Sequence, residues 1–149
     1  MNTPGVSVNP SLNNTVGTTA EYFLITSQFS TPQPDTEVRF FTKQGSFTNR
    51  GTIYQVRLSV ANQPDLDSFN VVLASWTEAQ LNVSATTWEE KIVTIPDLPQ
   101  GIPVYLAFVA ITNQTGTTGT SGDTWFIDNA RVITACAPVT GINSAMSAS

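Results

Sequence analysis

The chain has 149 residues, enough for one domain and one core, with 40% hydrophobic and only 11% charged residues and a net charge of −5. Its six Lys and Arg residues are scattered singly, which leaves no basic patch for nucleic-acid phosphate or an anionic membrane, and no apolar run approaches the ~18 residues of a membrane helix. With no histidine and one cysteine, Cys136, the sequence excludes Ser-His-Asp and Cys-His catalysis, histidine or thiolate zinc sites and an intrachain disulfide.

Residues 1–20 are rich in Asn, Thr, Ser, Gly and Pro and read as an irregular lead, with room for one short strand at 6–8. The first firm strand is 21–27. Prolines at 32 and 34 mark a turn, because proline fixes φ and lacks a ladder donor. A strand at 36–43 places Val38 and Phe40 on one face, and 45–51 is a loop. Residues 52–60 alternate: Tyr54, Val56, Leu58 and Val60 on one face, Ile53, Gln55, Arg57 and Ser59 on the other, as in a half-buried antiparallel strand.

After a turn at 62–67, Phe69, Val71 and Leu73 alternate along a strand at 69–75. Residues 76–85 are ambiguous, with 77–81 able to form one helical turn. A strand at 86–95 runs through Trp88, Ile92 and Ile95, and a turn follows at 97–103. Residues 104–112 are nearly all apolar, as expected of a central strand covered on both sides. A Gly/Thr-rich loop at 113–122 leads into the last strand, 123–134. There Trp125, Ile127 and Asn129 point one way and Phe126, Asp128, Ala130 and Val132 the other. Residues 135–149 have no pattern that completes a core and read as a linker.

Seven or eight strands with regular turn signals and no helix of ordinary length predict an all-β chain. The expected architecture is an antiparallel two-sheet β-sandwich: a jelly roll of galactose-binding-like type over residues 21–134. Low charge and abundant Thr, Ser, Asn and Gln suit an extracellular or cell-surface protein. Met1-Asn-Thr-Pro-Gly5 has no signal-peptide character. The expectation is therefore either a piece of a larger secreted protein or one displayed without a leader, as virion surface proteins are.

The order of these elements resembles the cleaved-adhesin, or choice-of-anchor, domains of secreted multi-domain proteins of Bacteroidetes. Tyr22-Phe-Leu-Ile-Thr-Ser27 is similar to their W-L-I-T-P strand, Val38-Arg-Phe-Phe41 to L-x-F, and Tyr54-Gln-Val-Arg-Leu-Ser59 to Y-x-V-x-V-S. Thr87-Trp88 with Val93-Thr-Ile95, then Val104-Tyr-Leu-Ala-Phe108, then Trp125-Phe-Ile-Asp-Asn-Ala-Arg-Val132, match the remaining motifs in order over about residues 21–133. The resemblance implies a jelly roll with an adhesion or targeting role, often with structural calcium. The family's N-terminal G-W strand and Asp-rich calcium loop are not recognisable. The Cys136-Ala-Pro138 linker resembles an entry into a fibronectin type III module.

For metal, Asp128 and then Asp123 are the candidates. A carboxylate among apolar strand neighbours needs backbone donors or a hard cation such as calcium. Glu89 and Glu90 are adjacent on a strand, so they face opposite sides and cannot flank one glycosidic bond. No enzymatic activity is expected. For ligand binding, Trp88 and Trp125 fall in strand motifs and belong to the core. Trp76, at a strand end, and Phe47, in a loop with Asn49 and Arg50, are the candidates for an exposed aromatic that stacks on a sugar or anchors an interface. The sequons at Asn13, Asn82 and Asn113 carry no weight in an Asn/Thr-rich chain. The expected role is a binding module that recognises carbohydrate or a surface protein within a larger chain. The alternative is a structural virion or fibre-decorating protein.

Overall fold

A computed structural model describes residues 5–8, 17–30, 34–113 and 122–134. The described strands are β1 (Val6–Val8), β2 (Thr19–Ile25), β3 (Thr36–Gln44), β4 (Ile53–Ser59), β5 (Val71–Thr77), β6 (Glu89–Thr94), β7 (Tyr105–Asn113) and β8 (Trp125–Thr134). One helical turn, α1 (Glu78–Leu81), follows β5, and a 3-10 turn at Leu66–Ser68 precedes it. One sheet has the order β1-β8-β3-β6 and the other β2-β7-β4-β5, and every described pairing is antiparallel. The chain passes repeatedly from one sheet to the other. This is the strand order of a jelly roll, as the sequence predicts.

Alternation builds the core. Val38 and Phe40 of β3, Tyr54, Val56 and Leu58 of β4, Leu106 and Phe108 of β7, and Trp125 and Ile127 of β8 are all buried between the sheets. Phe40 meets Phe108, Trp125 and Trp76 edge-on at centroid distances of 5.0, 6.1 and 6.3 Å. Such pairs contribute about 0.5–1.5 kcal/mol each beyond burial. The indole N–H of Trp125 donates to Thr42 Oγ1 at 2.6 Å, so burying the ring strands no donor. β7 is covered on both sides, as its apolar run requires: Ala107 and Val109 face outward beneath Phe69 and Phe23.

Several readings are corrected. Val8 is 6% exposed and joins the core through the short strand expected at 6–8, and β2 begins at Thr19, two residues before the strand read from the sequence. Trp88 lies outside β6 and is 39% exposed, with Lys43 Nζ 5.0 Å from its ring centroid. It caps the outer face of a sheet instead of filling the core. Val60 lies beyond β4 and is exposed. Residues 135–149, with Cys136 and the proposed linker, lie outside the described residues.

Two bulges explain the parity errors. Val56 pairs with Ala74 but Arg57 with Val72, so Leu73 is an extra residue in β5. The alternation that starts at Val71 therefore reverses, and Trp76, opposite Tyr54, turns inward. In β8, Arg39 pairs with Arg131 and Phe41 with Asp128, so Phe40 faces both Asn129 and Ala130. Asn129 takes a left-handed φ of 49° there, and Arg131 joins Asp128 on the outer face.

Candidate functional site

The loop from β3 to β4 and the segment from β5 to β6 leave the same end of the sandwich. Between them lies a cleft of about 360 Å³ lined by Gln44, Phe47, Asn49, Glu78, Ala79, Asn82, Val83, Ser84 and Ala85. Phe47 is 77% exposed on one wall and Val83 99% exposed on the other. Large apolar side chains so fully in water are informative where they flank a concavity lined with polar groups.

Each wall is held by specific bonds. In the first, Asn49 Oδ1 accepts from Gly51 N–H at 2.9 Å and Ser46 Oγ from Thr48 N–H at 3.1 Å. Gly51 needs its freedom, with φ at 77°. Gly45 needs its lack of a side chain: a Cβ would stand 2.9 Å from Asp123 Oδ1. In the second wall, Glu89 Oε1 accepts from Val83 N–H at 2.6 Å and Ser84 N–H at 3.3 Å. Asn82, 4% exposed, donates through Nδ2 to the carbonyls of Thr42 and Thr87 at 2.8 and 3.0 Å, while its Oδ1 accepts no hydrogen bond from the described residues. Burial of this kind also removes Asn82 from consideration as a glycosylation acceptor.

Beneath the cleft lie two buried carboxylates. Glu78, 5% exposed, accepts from Arg50 N–H at 2.7 Å through Oε2 and from Thr52 N–H at 2.9 Å through Oε1. Asp123, also 5% exposed, accepts from Ser46 N–H at 3.0 Å and Thr124 N–H at 2.8 Å, and its own N–H donates to Thr52 Oγ1 at 2.7 Å. Burial raises the Asp123 pKa above the ordinary range and the charge of Glu78 adds to this; the Ser46 and Thr124 amides and Arg50 oppose it. The Tyr54 hydroxyl is buried beside the Thr52 side chain. Its pKa is pushed far above that of a free phenol by burial first, then by Asp123 and Glu78, and the Thr52 contact opposes the shift.

Of the predicted ligand residues, Phe47 and Asn49 come together in the cleft. Arg50 does not line it; its backbone serves the stem of the loop. Trp76 is half-buried against the core, turned in by the bulge at Leu73, and does not line this cleft. Val83, Glu78, Gln44 and Asn82 were missed. A lone valine between polar residues carries no signal in sequence, and the contacts of Glu78 depend on chain crossings.

The two predicted metal residues are not brought together. They lie five residues apart along nearly extended chain, about 16 Å at ~3.3 Å per residue, and on opposite faces, so one ion cannot take both. Asp128 stands on the outer face and accepts from Asn129 N–H at 2.7 Å. No group of three or more His, Cys, Asp or Glu converges among the described residues. Glu89 and Glu90 are held apart as expected, Glu90 by Arg131 at 2.6 Å and Glu89 beside Lys91 at 3.8 Å.

A second, wider cleft of about 700 Å³ opens at the other end of the sandwich, between Gln28, Asn62 and Gln100. Its aromatic, Phe29, is half-buried and packs against the core.

No family model matches the chain, and no curated protein matches it. Solved structures do. The K3 cleaved adhesin domain of Lys-gingipain from Porphyromonas gingivalis W83 is 19% identical with a TM-score of 0.50, over 79% of this chain and 66% of that one. The K1 cleaved adhesin domain of the same protein is 20% identical with a TM-score of 0.49, over 76% and 63%. A structure of carbohydrate-binding modules from the β-sandwich superfamily is 20% identical with a TM-score of 0.47, over 77% and 42%. The chain thus spans less than two thirds of the length of each. At these identities the likeness is one of fold: the jelly-roll sandwich of this chain is built like that of the K3 cleaved adhesin domain, the family that the order of its strand motifs resembles.

Proposed function

We propose that this chain is a non-catalytic binding module that takes carbohydrate in the cleft between Phe47 and Val83, at an extracellular or cell surface and within a larger protein. The observation that carries the reading is the pair of exposed apolar side chains, 77% and 99% open, on the two walls of a cleft lined by amides, a hydroxyl and methyl groups. A ring such as Phe47 can stack on the apolar face of a sugar, while Asn49 and Ser84 can exchange hydrogen bonds with its hydroxyls. The carboxylates below are already engaged by backbone N–H donors, so they are poorly placed to act as a glycosidase pair. Among the described residues no helix is long and apolar enough to cross a membrane. The fold neighbours include adhesin domains and carbohydrate-binding modules, which agrees with a binding role.

The test is a glycan-array screen of the folded domain and of Phe47→Ala, with and without calcium. Binding by the wild type that Phe47→Ala abolishes while keeping its melting temperature supports the reading. A blank array from folded wild type, or binding that Phe47→Ala leaves intact, overturns it and shifts weight to a structural or protein-binding role.

A further inference from the structure

We infer that Glu78 is the positioning residue of the cleft: a single buried carboxylate ties the Phe47 wall to the Val83 wall and sets their separation. The inference rests on reading the cleft as the binding site.

Glu78 belongs to the Val83 wall, as the first residue of α1, and its backbone carbonyl accepts from Gln44 Nε2 at 2.6 Å. Gln44 N–H in turn donates to Ala85 O at 2.6 Å, so the end of β3 grips this wall at both ends. The side chain of Glu78 crosses to the other wall, where its two oxygens take the amides of Arg50 and Thr52 on either side of Gly51. These amides close the stem of the loop that carries Phe47 and Asn49. Ionised carboxylates accept backbone N–H groups strongly, and no neutral side chain of the same length offers two such acceptors. Glutamine would turn an N–H₂ donor toward one of the two amides, and aspartate is a methylene too short. The buried charge is otherwise costly, and the two amides that its carboxylate takes on the opposite wall account for its presence there.

The experiment uses the full chain. Amide hydrogen exchange is followed by NMR in the wild type and in Glu78→Gln. In a Cys136→Ser background, Phe47→Cys and Val83→Cys carry spin labels whose separation is measured with and without Glu78→Gln. The inference expects Arg50 and Thr52 amides to exchange at least tenfold faster in Glu78→Gln while the β4–β7 ladder keeps its protection. It also expects the label distance to broaden, and the affinity for any glycan found on the array to fall at least tenfold. Unchanged exchange at both amides, an unchanged label distance, or undiminished glycan affinity overturns it, and in the last case the binding reading stands without it. If both proteins bind no glycan but exchange and distance change as expected, the positioning role holds and the carbohydrate reading falls. Should Glu78→Gln not fold, the wild type decides: protection of Arg50 and Thr52 equal to that of the ladder supports the role, and exchange at the unprotected rate refutes it.

Discussion

Trp76 and Phe47 are both aromatics near the end of an element, and the structure separates them by contact. Trp76 meets Phe40 and packs on the core; Phe47 stands in water. Trp76→Ala should therefore lower unfolding free energy by about 3 kcal/mol, as for large aromatics lost from packed sites. Phe47→Ala should stay within about 0.5 kcal/mol of wild type. Urea unfolding of the two variants checks the contrast, and equal losses would contradict the assignment. Asp123 gives a prediction with a sign. Its folded-state pKa lies above the unfolded value, raised chiefly by burial, so the folded state holds the proton more tightly. That contribution is fully present below the ordinary carboxylate range. It is lost as pH rises through the raised folded value. Asp123→Asn cannot titrate there. The melting temperature of wild type relative to Asp123→Asn should thus be highest in acid and fall toward neutral pH. A difference that grows with pH would mean that the ionised form is the one the fold favours.

At the scale of elements, what the sequence made legible was alternation, because burial on one face leaves a period of two in the residue types. β4 shows this directly, with Tyr54, Val56 and Leu58 inward as expected. What alternation cannot announce is a bulge: one additional residue looks the same in the chain as one ordinary residue. Leu73 reversed the parity of β5 and hid the packing of Trp76, and the bulge in β8 carried Arg131 to the outer face beside Asp128. Asn129 holds that second bulge at φ 49°, a region that asparagine tolerates and β-branched residues do not. Asn129→Gly should keep stability within about 0.5 kcal/mol, while Asn129→Val should lose about 1–2 kcal/mol. Chemical denaturation measures both, and a tolerated valine would mean that the bulge relaxes or moves.

At the scale of the molecule, the jelly roll was readable because its core is distributed over every strand, whereas the cleft was only half readable. Phe47 and Asn49 lie in one contiguous loop between glycines, but Glu78, Asn82 and Val83 face them only after the two sheets have stacked. The same long-range folding bears on calcium, which the resemblance implies and for which Asp123 and Asp128 were the candidates. Stacking does not bring them together; it adds Ser46 N–H to the Thr124 N–H that Asp123 already accepts, while Asp128 accepts from its neighbour Asn129. Calcium takes 6–8 oxygen ligands, and the described residues supply no converging set of acids. An ion bound at 100 times its Kd would add about 2.7 kcal/mol, several degrees of melting temperature in a domain of this size. Excess chelator tests the expectation: a melting temperature that stays within about 1 °C of its value in millimolar calcium, a shift worth well under 1 kcal/mol, would remove it. A fall of several degrees that Asp123→Asn removes and Asp128→Asn does not would place an ion at Asp123. It would also make the buried carboxylates under the cleft a metal-supported floor, with the ordering of the Phe47 loop dependent on calcium.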